Sequence, residues 1–125
     1  NGAISDIFNQ HGEAYFRDLE GNCLANAIQF DRLSVISVGG GILEGTAGFE
    51  LLSNYSTVVW LKMSFSTVLN RLNKKGRELR PLFDDQVESR FYERQKKYEI
   101  CSDFTVDVDS MSVESVAEKI INRYG

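Results

Sequence analysis

Three consecutive glycines form the first feature of this sequence that could do chemistry. Gly39, Gly40 and Gly41 directly follow the apolar segment 33–38. Because glycine has no Cβ, the backbone N–H groups of such a run can approach a carboxylate, a hydroxyl or a phosphate closely. A tight turn that needs a positive φ is a sufficient explanation for one glycine, but three in succession favour the approach of a ligand.

Two arginines fall on the apolar stripes of predicted helices. Arg94 lies seven residues after Val87, so the two share a helix face, and Arg17 has a similar position in an earlier helix. A guanidinium that faces apolar neighbours requires an anion, because burying it unpaired is costly. The anion can be a ligand or an internal acid, with Glu13 and Glu20 as the candidates for Arg17. Extension of the side chain to solvent is the remaining alternative.

A polar stretch from residue 73 to residue 83 contains four basic residues and the only proline of the chain. This composition is typical of a flap, and Pro81, directly after Arg80, fixes the backbone where the flap rejoins a helix. An arginine on such a flap could stabilise the charge that develops on phosphate groups. A solvated loop has the same composition, so the residues alone leave both interpretations open.

The elements that position these residues alternate between strands and helices. Apolar runs predict three buried strands, at 33–38, 57–61 and 104–108. Helical periodicity predicts helices at 4–10, at 12–30, between 45 and 54, from 64 or 66 to 72, from 84 or 85 to 100, and at 112–124. Strands separated by helices require crossover connections, so the fold class is α/β, with a parallel sheet flanked by helices. We find no repeat and no second domain, so residues 1–125 are predicted to belong to a single domain.

Composition narrows the class of protein. The 125 residues include 14 Lys and Arg against 18 Asp and Glu, a net charge of −4. The absence of any apolar run near 20 residues argues against a membrane span, and the acidic balance argues against general nucleic-acid binding. Two cysteines without a CxxC pair suit a reducing compartment, and we expect the cytoplasm. No cluster of Cys and His has zinc-ligand spacing, so no metal ligand is predicted.

The charge is distributed unevenly along the chain. Residues 71–97 contain nine basic and five acidic residues, a net charge of +4, so the remainder carries −8. An acidic protein with one basic segment is expected to meet an anion there.

Four motifs, in this order along the chain, resemble those of the shikimate kinase family. They are Gly12-Glu13-x-x-Phe16-Arg17, Val38-Gly39-Gly40-Gly41, Arg80-Pro81-Leu82 and Glu93-Arg94-x-x-x-Tyr98. The similarity covers essentially the whole chain, and the combination is specific although no single motif is. The resemblance implies a five-stranded, P-loop nucleoside-monophosphate-kinase-like fold. It also implies transfer of the γ-phosphoryl group of ATP to the 3-hydroxyl of shikimate, a step of aromatic amino-acid biosynthesis.

The resemblance implies a substrate-binding role for the arginines and the glycines. Arg17 and Arg94 match the arginines that hold the shikimate carboxylate, and Gly39 to Gly41 match the loop that contacts the ring hydroxyls. Two guanidiniums can bind one carboxylate through charge-assisted hydrogen bonds.

ATP and Mg²⁺ are the cofactors that the resemblance implies. Residues from about 74 to 83 match the lid of the family. Within it, Arg80 matches the arginine that reaches the transferred phosphate, so it is expected to be catalytic and nucleotide-binding. The loop from Ser110 to Val113 looks like the adenine-contacting segment. A lid that excludes water favours phosphoryl transfer over hydrolysis.

The sequence departs from the family at the nucleotide site. It has no Gly-Lys dipeptide, and so no Gly-x-x-x-x-Gly-Lys-Ser/Thr loop, and it lacks the early strand with the aspartate that acts on the substrate hydroxyl. The arginine that stacks on adenine in the family falls at Asn73, with Arg71 and Lys74 as neighbouring alternatives. We therefore expect most ligands of ATP and Mg²⁺ to lie in an N-terminal segment, and this chain alone to be inactive.

The missing strand has a structural consequence. In the strand order 2-3-1-4-5 of the family, the P-loop strand lies between the strands at 34–38 and 57–61. Without it both lose their central neighbour, and backbone donors and acceptors are left unpaired. The structure could be completed by an N-terminal portion of the parent protein, by a second chain, or by repacking.

The preferred interpretation is an incomplete domain, the carboxyl-terminal part of a shikimate kinase. The alternatives are a non-catalytic shikimate-kinase-like module and a generic anion-binding α/β scaffold.

Overall fold

A computed structural model describes residues 4–29, 34–75 and 86–125 of the chain. In chain order the elements are α1 (Ile4–Ile28), a 3₁₀ helix (Ile42–Glu44), α2 (Thr46–Tyr55), β1 (Val59–Lys62), α3 (Phe65–Lys75), α4 (Val87–Cys101), β2 (Phe104–Asp107) and α5 (Val113–Tyr124). Strands β1 and β2 pair in parallel, with Val59 opposite Phe104 and Lys62 opposite Asp107. A parallel pair needs a crossover connection, and α3 and α4 lie between the two strands in the chain. The predicted α/β class with a parallel sheet is therefore confirmed.

Local sequence signals account for the interruption of α1 and for the start of α5. Gly12 has a φ of 86° and interrupts α1, as expected from the two helices predicted on either side of residue 11. This left-handed conformation costs glycine little because it has no Cβ. At the other end of the chain, Ser112 caps α5, and its Oγ accepts a hydrogen bond from the backbone N–H of Ser115 at 3.1 Å.

The strand predicted at 33–38 is wrong for the residues that the structure describes. Residues 34–39 lie outside helices and strands, and Val35, Ile36 and Val38 are exposed. A segment becomes a strand only when a neighbouring strand supplies ladder hydrogen bonds. Across the described ranges, the sheet consists of β1 and β2, which pair with each other. This agrees with the expectation that 34–38 depends on a strand between it and β1.

The first residues of the loop predicted at 73–83 are also wrong. Helix α3 continues through Lys75, so residues 73–75, including the first part of the predicted lid, are helical. Residues 76–85, which include Arg80, lie outside the described residues.

A small apolar core fixes the backbone that follows the three glycines. Ile42 and Leu43 are buried with Leu24 of α1 and Cys101 of α4. Because Ile42 and Leu43 come directly after Gly41, this packing holds the end of the glycine run against both helices.

The contact between α2 and the 3₁₀ helix gives a testable prediction about stability. A Cβ added to the buried Gly48 would lie 3.0 Å from the carbonyl carbon of Ile42, and closer still to its oxygen. We expect Gly48→Ala to lower the free energy of unfolding by about 1–3 kcal/mol, because overpacking outweighs the better helix propensity of alanine. Urea denaturation measures this change. In the control Gly45→Ala, the new Cβ would meet Arg17 Cβ at an ordinary 3.8 Å. Equal stability of Gly48→Ala and the wild type would contradict the prediction.

Candidate functional site

The two arginines predicted from the sequence lie against adjacent glycines. A Cβ on Gly41 would be 2.7 Å from Arg17 Cζ, and a Cβ on Gly40 would be 3.4 Å from Arg94 Nη1. Among the described glycines only Gly12 has a positive φ, so backbone conformation does not explain the glycine run. The lack of side chains at these two positions instead makes room for the guanidiniums.

Arg17 is held by two acids on its own helix. Its Nη1 donates to Glu20 Oε1 at 2.6 Å, and its Nε donates to Glu13 Oε2 at 3.5 Å. The Arg17 side chain is only 10% exposed, and its Nη2 is buried without a hydrogen-bond partner. The internal pairing considered for this arginine is therefore present, and it leaves one nitrogen without a hydrogen-bond partner.

Arg94 has a different environment. Its side chain is 19% exposed, and its Nε lies 3.9 Å from Glu44 Oε2. Both Nε and Nη2 are buried without a hydrogen-bond partner. Arg94 therefore has an internal anion at ion-pair distance, but its hydrogen-bonding capacity is largely unused.

Glu44 and Lys97 are two residues of this cluster that the sequence did not reveal. Lys97 Nζ donates to Glu44 Oε1 at 2.9 Å, so this lysine of the basic segment 71–97 is not simply a solvated charge. Lys96, in contrast, has a side chain that is 73% exposed and pairs at 3.5 Å with the exposed Glu93. Glu44 follows the glycines on a single 3₁₀ turn, where no periodic signal marks its direction.

The electrostatics of Glu44 reflect its neighbours. Partial burial alone would raise the pKa of this carboxyl, but the hydrogen bond from Lys97 and the charges of Arg94, Lys97 and Arg17 hold it below its usual value of 4.5. Glu44 is therefore a carboxylate at neutral pH, and the cluster combines three cations with this acid and with the two acids that pair with Arg17.

Tyr98 fixes the middle glycine of the run. Its Oη donates a hydrogen bond to the carbonyl oxygen of Gly40. Burial raises the pKa of the Tyr98 phenol, an effect that the charges of Arg94 and Arg17 oppose and that of Glu44 reinforces. The phenol thus stays protonated at neutral pH and remains a donor to this carbonyl.

The geometry of the cluster is suited to binding an anion. Buried donors without partners are costly in a folded protein, and Arg17 Nη2 and Arg94 Nη2 are both of this kind. A carboxylate or phosphate is the ligand that guanidiniums bind best, through short charge-assisted hydrogen bonds. The structure therefore brings Arg17 and Arg94 together at the glycine run, in an arrangement that could bind an anion.

Of the two nucleotide-binding residues expected from the sequence, the structure describes only Ser110. Ser110 is exposed on the loop after β2, and Arg80 lies outside the described residues. The neighbouring Asp109 ties this loop to the one after β1, because its Oδ1 accepts a hydrogen bond from the backbone N–H of Ser64 at 2.9 Å. That hydrogen bond lowers the pKa of the Asp109 carboxyl. The carboxyl-terminal ends of both parallel strands are thus joined where open α/β sheets bind ligands.

Two further expectations concern metals and membranes. Within residues 4–29, 34–75 and 86–125, no group of three or more His, Cys, Asp or Glu side chains could hold a metal ion. None of the helices in these ranges is long and apolar enough to cross a membrane.

Comparison of the chain with known proteins identifies its family. The family model for shikimate kinase matches residues 1–124. A shikimate kinase of Lactococcus lactis is 34% identical over 123 residues, which cover 97% of this chain and 75% of the relative. The shikimate kinase of Dictyoglomus turgidum is also 34% identical, over 97% of this chain and 73% of its own length. The chain thus spans about three quarters of these relatives.

Solved structures agree with these relatives on the fold. A shikimate kinase from Acinetobacter baumannii in complex with shikimate superposes with a TM-score of 0.84 at 24% identity, covering 98% of this chain and 69% of that one. The shikimate kinase of Bacteroides thetaiotaomicron gives a TM-score of 0.73, also at 24% identity, over 96% of this chain and 73% of that one. The P-loop nucleoside-monophosphate-kinase-like fold is therefore confirmed. With the matched family model and these relatives, the chain belongs to the shikimate kinase family.

Proposed function

We propose that this protein transfers the γ-phosphoryl group of ATP to the 3-hydroxyl of shikimate in the cytoplasm. The observation that carries the proposal is the pair of buried guanidiniums, Arg17 and Arg94, each with an Nη2 that has no partner. The relatives that cover nearly the whole chain are named shikimate kinases, so a non-catalytic anion-binding module is not favoured.

In this proposal the anion site binds the substrate carboxylate. Arg17 and Arg94 donate charge-assisted hydrogen bonds to it, while the acids beside them keep the two side chains extended. The backbone of Gly39, Gly40 and Gly41 contacts the ring hydroxyls, which can approach closely because no Cβ intervenes. Because the clamp binds the carboxylate, which does not react, its binding energy orients the 3-hydroxyl for attack.

The nucleotide is assigned to a different set of residues. Arg80, on the lid at about 74–83, is proposed to stabilise charge on the transferred phosphate, and Ser110 to contact adenine. ATP supplies the phosphoryl group when it is bound. The described residues offer no cluster of acids for Mg²⁺, so we assign no magnesium ligand among them and derive no step through the metal.

The same proposal includes a further strand beside residues 34–38. Val35, Ile36 and Val38 are exposed in a part of the chain that lies outside helices and strands. A strand supplied by another part of the protein, or by a second chain, would cover these side chains and satisfy the backbone groups next to them.

The full-length protein provides the test. Incubated with ATP, Mg²⁺ and shikimate, it should release ADP only when shikimate is present, and mass spectrometry should detect the phosphorylated product. The methyl ester of shikimate is the matched control, because it retains the 3-hydroxyl but lacks the charge that the arginines bind. We expect its KM to be at least about 10-fold higher. Shikimate binding without product would instead indicate a non-catalytic module, and equal use of the ester would exclude the carboxylate clamp.

A further inference from the structure

We infer that Glu44 is a positioning residue for substrate binding, which holds the Arg94 guanidinium against Gly40 with its Nη2 available to the substrate carboxylate. This inference rests on the proposed function. Three observations support it: the fixed backbone of Glu44, the division of its two oxygens between two cations, and the free atoms that remain on Arg94.

The backbone of Glu44 is held by a hydrogen bond and by the packing of the residues before it. Its N–H donates to the carbonyl oxygen of Gly41 at 3.0 Å, and the two preceding residues, Ile42 and Leu43, are buried in the core. The Glu44 side chain is only 22% exposed. Because the glycine run and Glu44 share one short turn, a shift of the Glu44 backbone would also shift the glycine run.

Each oxygen of the Glu44 carboxylate lies beside a different cation of α4. Oε1 accepts a 2.9 Å hydrogen bond from Lys97 Nζ, and Oε2 lies 3.9 Å from Arg94 Nε. Arg94 and Lys97 are three residues apart on α4, so their side chains lie on neighbouring parts of one helix face. Lys97 therefore fixes the carboxylate, and the carboxylate attracts the Nε edge of Arg94.

The position of Glu44 decides which edge of Arg94 remains for a ligand. A guanidinium binds a carboxylate best through two parallel N–H groups on one edge. Glu44 lies beside Nε, on the edge that Nε shares with Nη2, so the edge formed by Nη1 and Nη2 is the one that remains, and Nη2 is buried without a hydrogen-bond partner. An acid placed between Nη1 and Nη2 would compete with the substrate. At Nε it can orient the side chain and offset the repulsion between Arg94 and Arg17.

A negative charge near the site also repels an anionic substrate, so the two effects of Glu44 oppose each other. The repulsion falls with the distance between the Glu44 carboxylate and the substrate carboxylate. Each Glu44 oxygen also lies beside a cation: Oε2 is paired with Arg94, and Oε1 with Lys97. Since both oxygens are already matched by cations, orientation should outweigh repulsion. The sign of the change on removing the charge separates the two effects.

The decisive variant is Glu44→Gln in the full-length protein, because it removes the charge while keeping the shape. We expect the KM and the calorimetric Kd for shikimate to rise about 10-fold, with kcat and the KM for ATP changing less than about 2-fold. Glu44→Asp retains the charge on a shorter side chain and should recover part of the affinity. Lys97→Gln should weaken binding only about 2- to 3-fold, because Glu44 remains beside Arg94 and loses only its hydrogen bond from Lys97.

Glu99→Gln is the matched control, because Glu99 is an exposed glutamate of α4, the helix that carries Arg94. This variant should bind shikimate as the wild type does. If Glu44→Gln left the Kd for shikimate unchanged or lowered it, the inference would be overturned even where the wild type is an active kinase. If Glu44→Gln failed to fold, Glu44→Asp and Lys97→Gln would decide, and wild-type Kd values in both would overturn it. An inactive wild type that binds shikimate contradicts the proposed function, but the Kd comparison still tests Glu44.

The pH dependence of stability gives a readout that is independent of activity. The pKa of Glu44 is lower in the folded protein than its usual 4.5, so its contribution is fully present above that value and is lost as the pH falls through the folded pKa. The difference in free energy of unfolding between the wild type and Glu44→Gln should be constant above about pH 5.5 and shrink below about pH 4.5. A difference that does not change with pH would show that the charge is not responsible.

Discussion

Replacing Arg17 by alanine should weaken shikimate binding by about 100-fold or more, and replacing Arg94 should weaken it by about 30-fold. A hydrogen bond between charged groups contributes about 1.5–3 kcal/mol, and each 1.4 kcal/mol is a factor of ten. The loss is larger at Arg17 because Glu20, bound to it at 2.6 Å, would then be an uncompensated carboxylate beside the substrate. After loss of Arg94, Glu44 still has Lys97 as a partner.

Calorimetry with shikimate on the full-length protein measures both effects. Arg123→Ala is the matched control, since this arginine of α5 lies over the Phe104 ring, 5.4 Å from its centroid, and has no part in the proposed site. Arg94→Lys should fall between the wild type and Arg94→Ala, because lysine retains the charge but not the planar pair of donors. Unchanged affinity in Arg17→Ala and Arg94→Ala would eliminate the carboxylate clamp.

The site arginines could be predicted because helical periodicity is a local property. The spacing of Arg94 from Val87 sets the helix face that it occupies, whatever the rest of the chain does. The structure adds that the guanidinium lies against Gly40 and beside Glu44. The sequence could not supply those neighbours, because they belong to a different element and depend on tertiary packing.

Two features could not be predicted for the same physical reason. An apolar run such as 33–38 has the composition of a strand, but a strand exists only with a hydrogen-bonded neighbour, and in the described part of the chain β1 and β2 pair with each other. A lysine such as Lys97 is most often a solvated charge. Here the 3₁₀ turn that carries Glu44 brings the Glu44 carboxylate to 2.9 Å from Lys97 Nζ. Both depend on contacts that are distant in the sequence.

The glycine run provides the second large expected effect, at Gly41. A Cβ at this position would lie 2.7 Å from both Cζ and Nη2 of Arg17, closer than real Cβ contacts allow. The backbone itself would accept alanine, because the φ of Gly41 is −96°. We therefore expect Gly41→Ala to fold normally but to displace the Arg17 guanidinium, with a loss of shikimate affinity of about 100-fold, as in Arg17→Ala.

A double-mutant cycle separates displacement of Arg17 from a general disturbance of the loop. If Gly41→Ala acts only by moving Arg17, then adding it to Arg17→Ala should cost little further affinity, because the clash has been removed. Gly40→Ala is the graded comparison: its Cβ would lie 3.4 Å from Arg94 Nη1 and 3.2 Å from Tyr98 Oη, so its effect should be smaller, about 10-fold. Additive losses in the Gly41 and Arg17 double variant would contradict this explanation, because the glycine would then be needed for a reason other than space for the guanidinium.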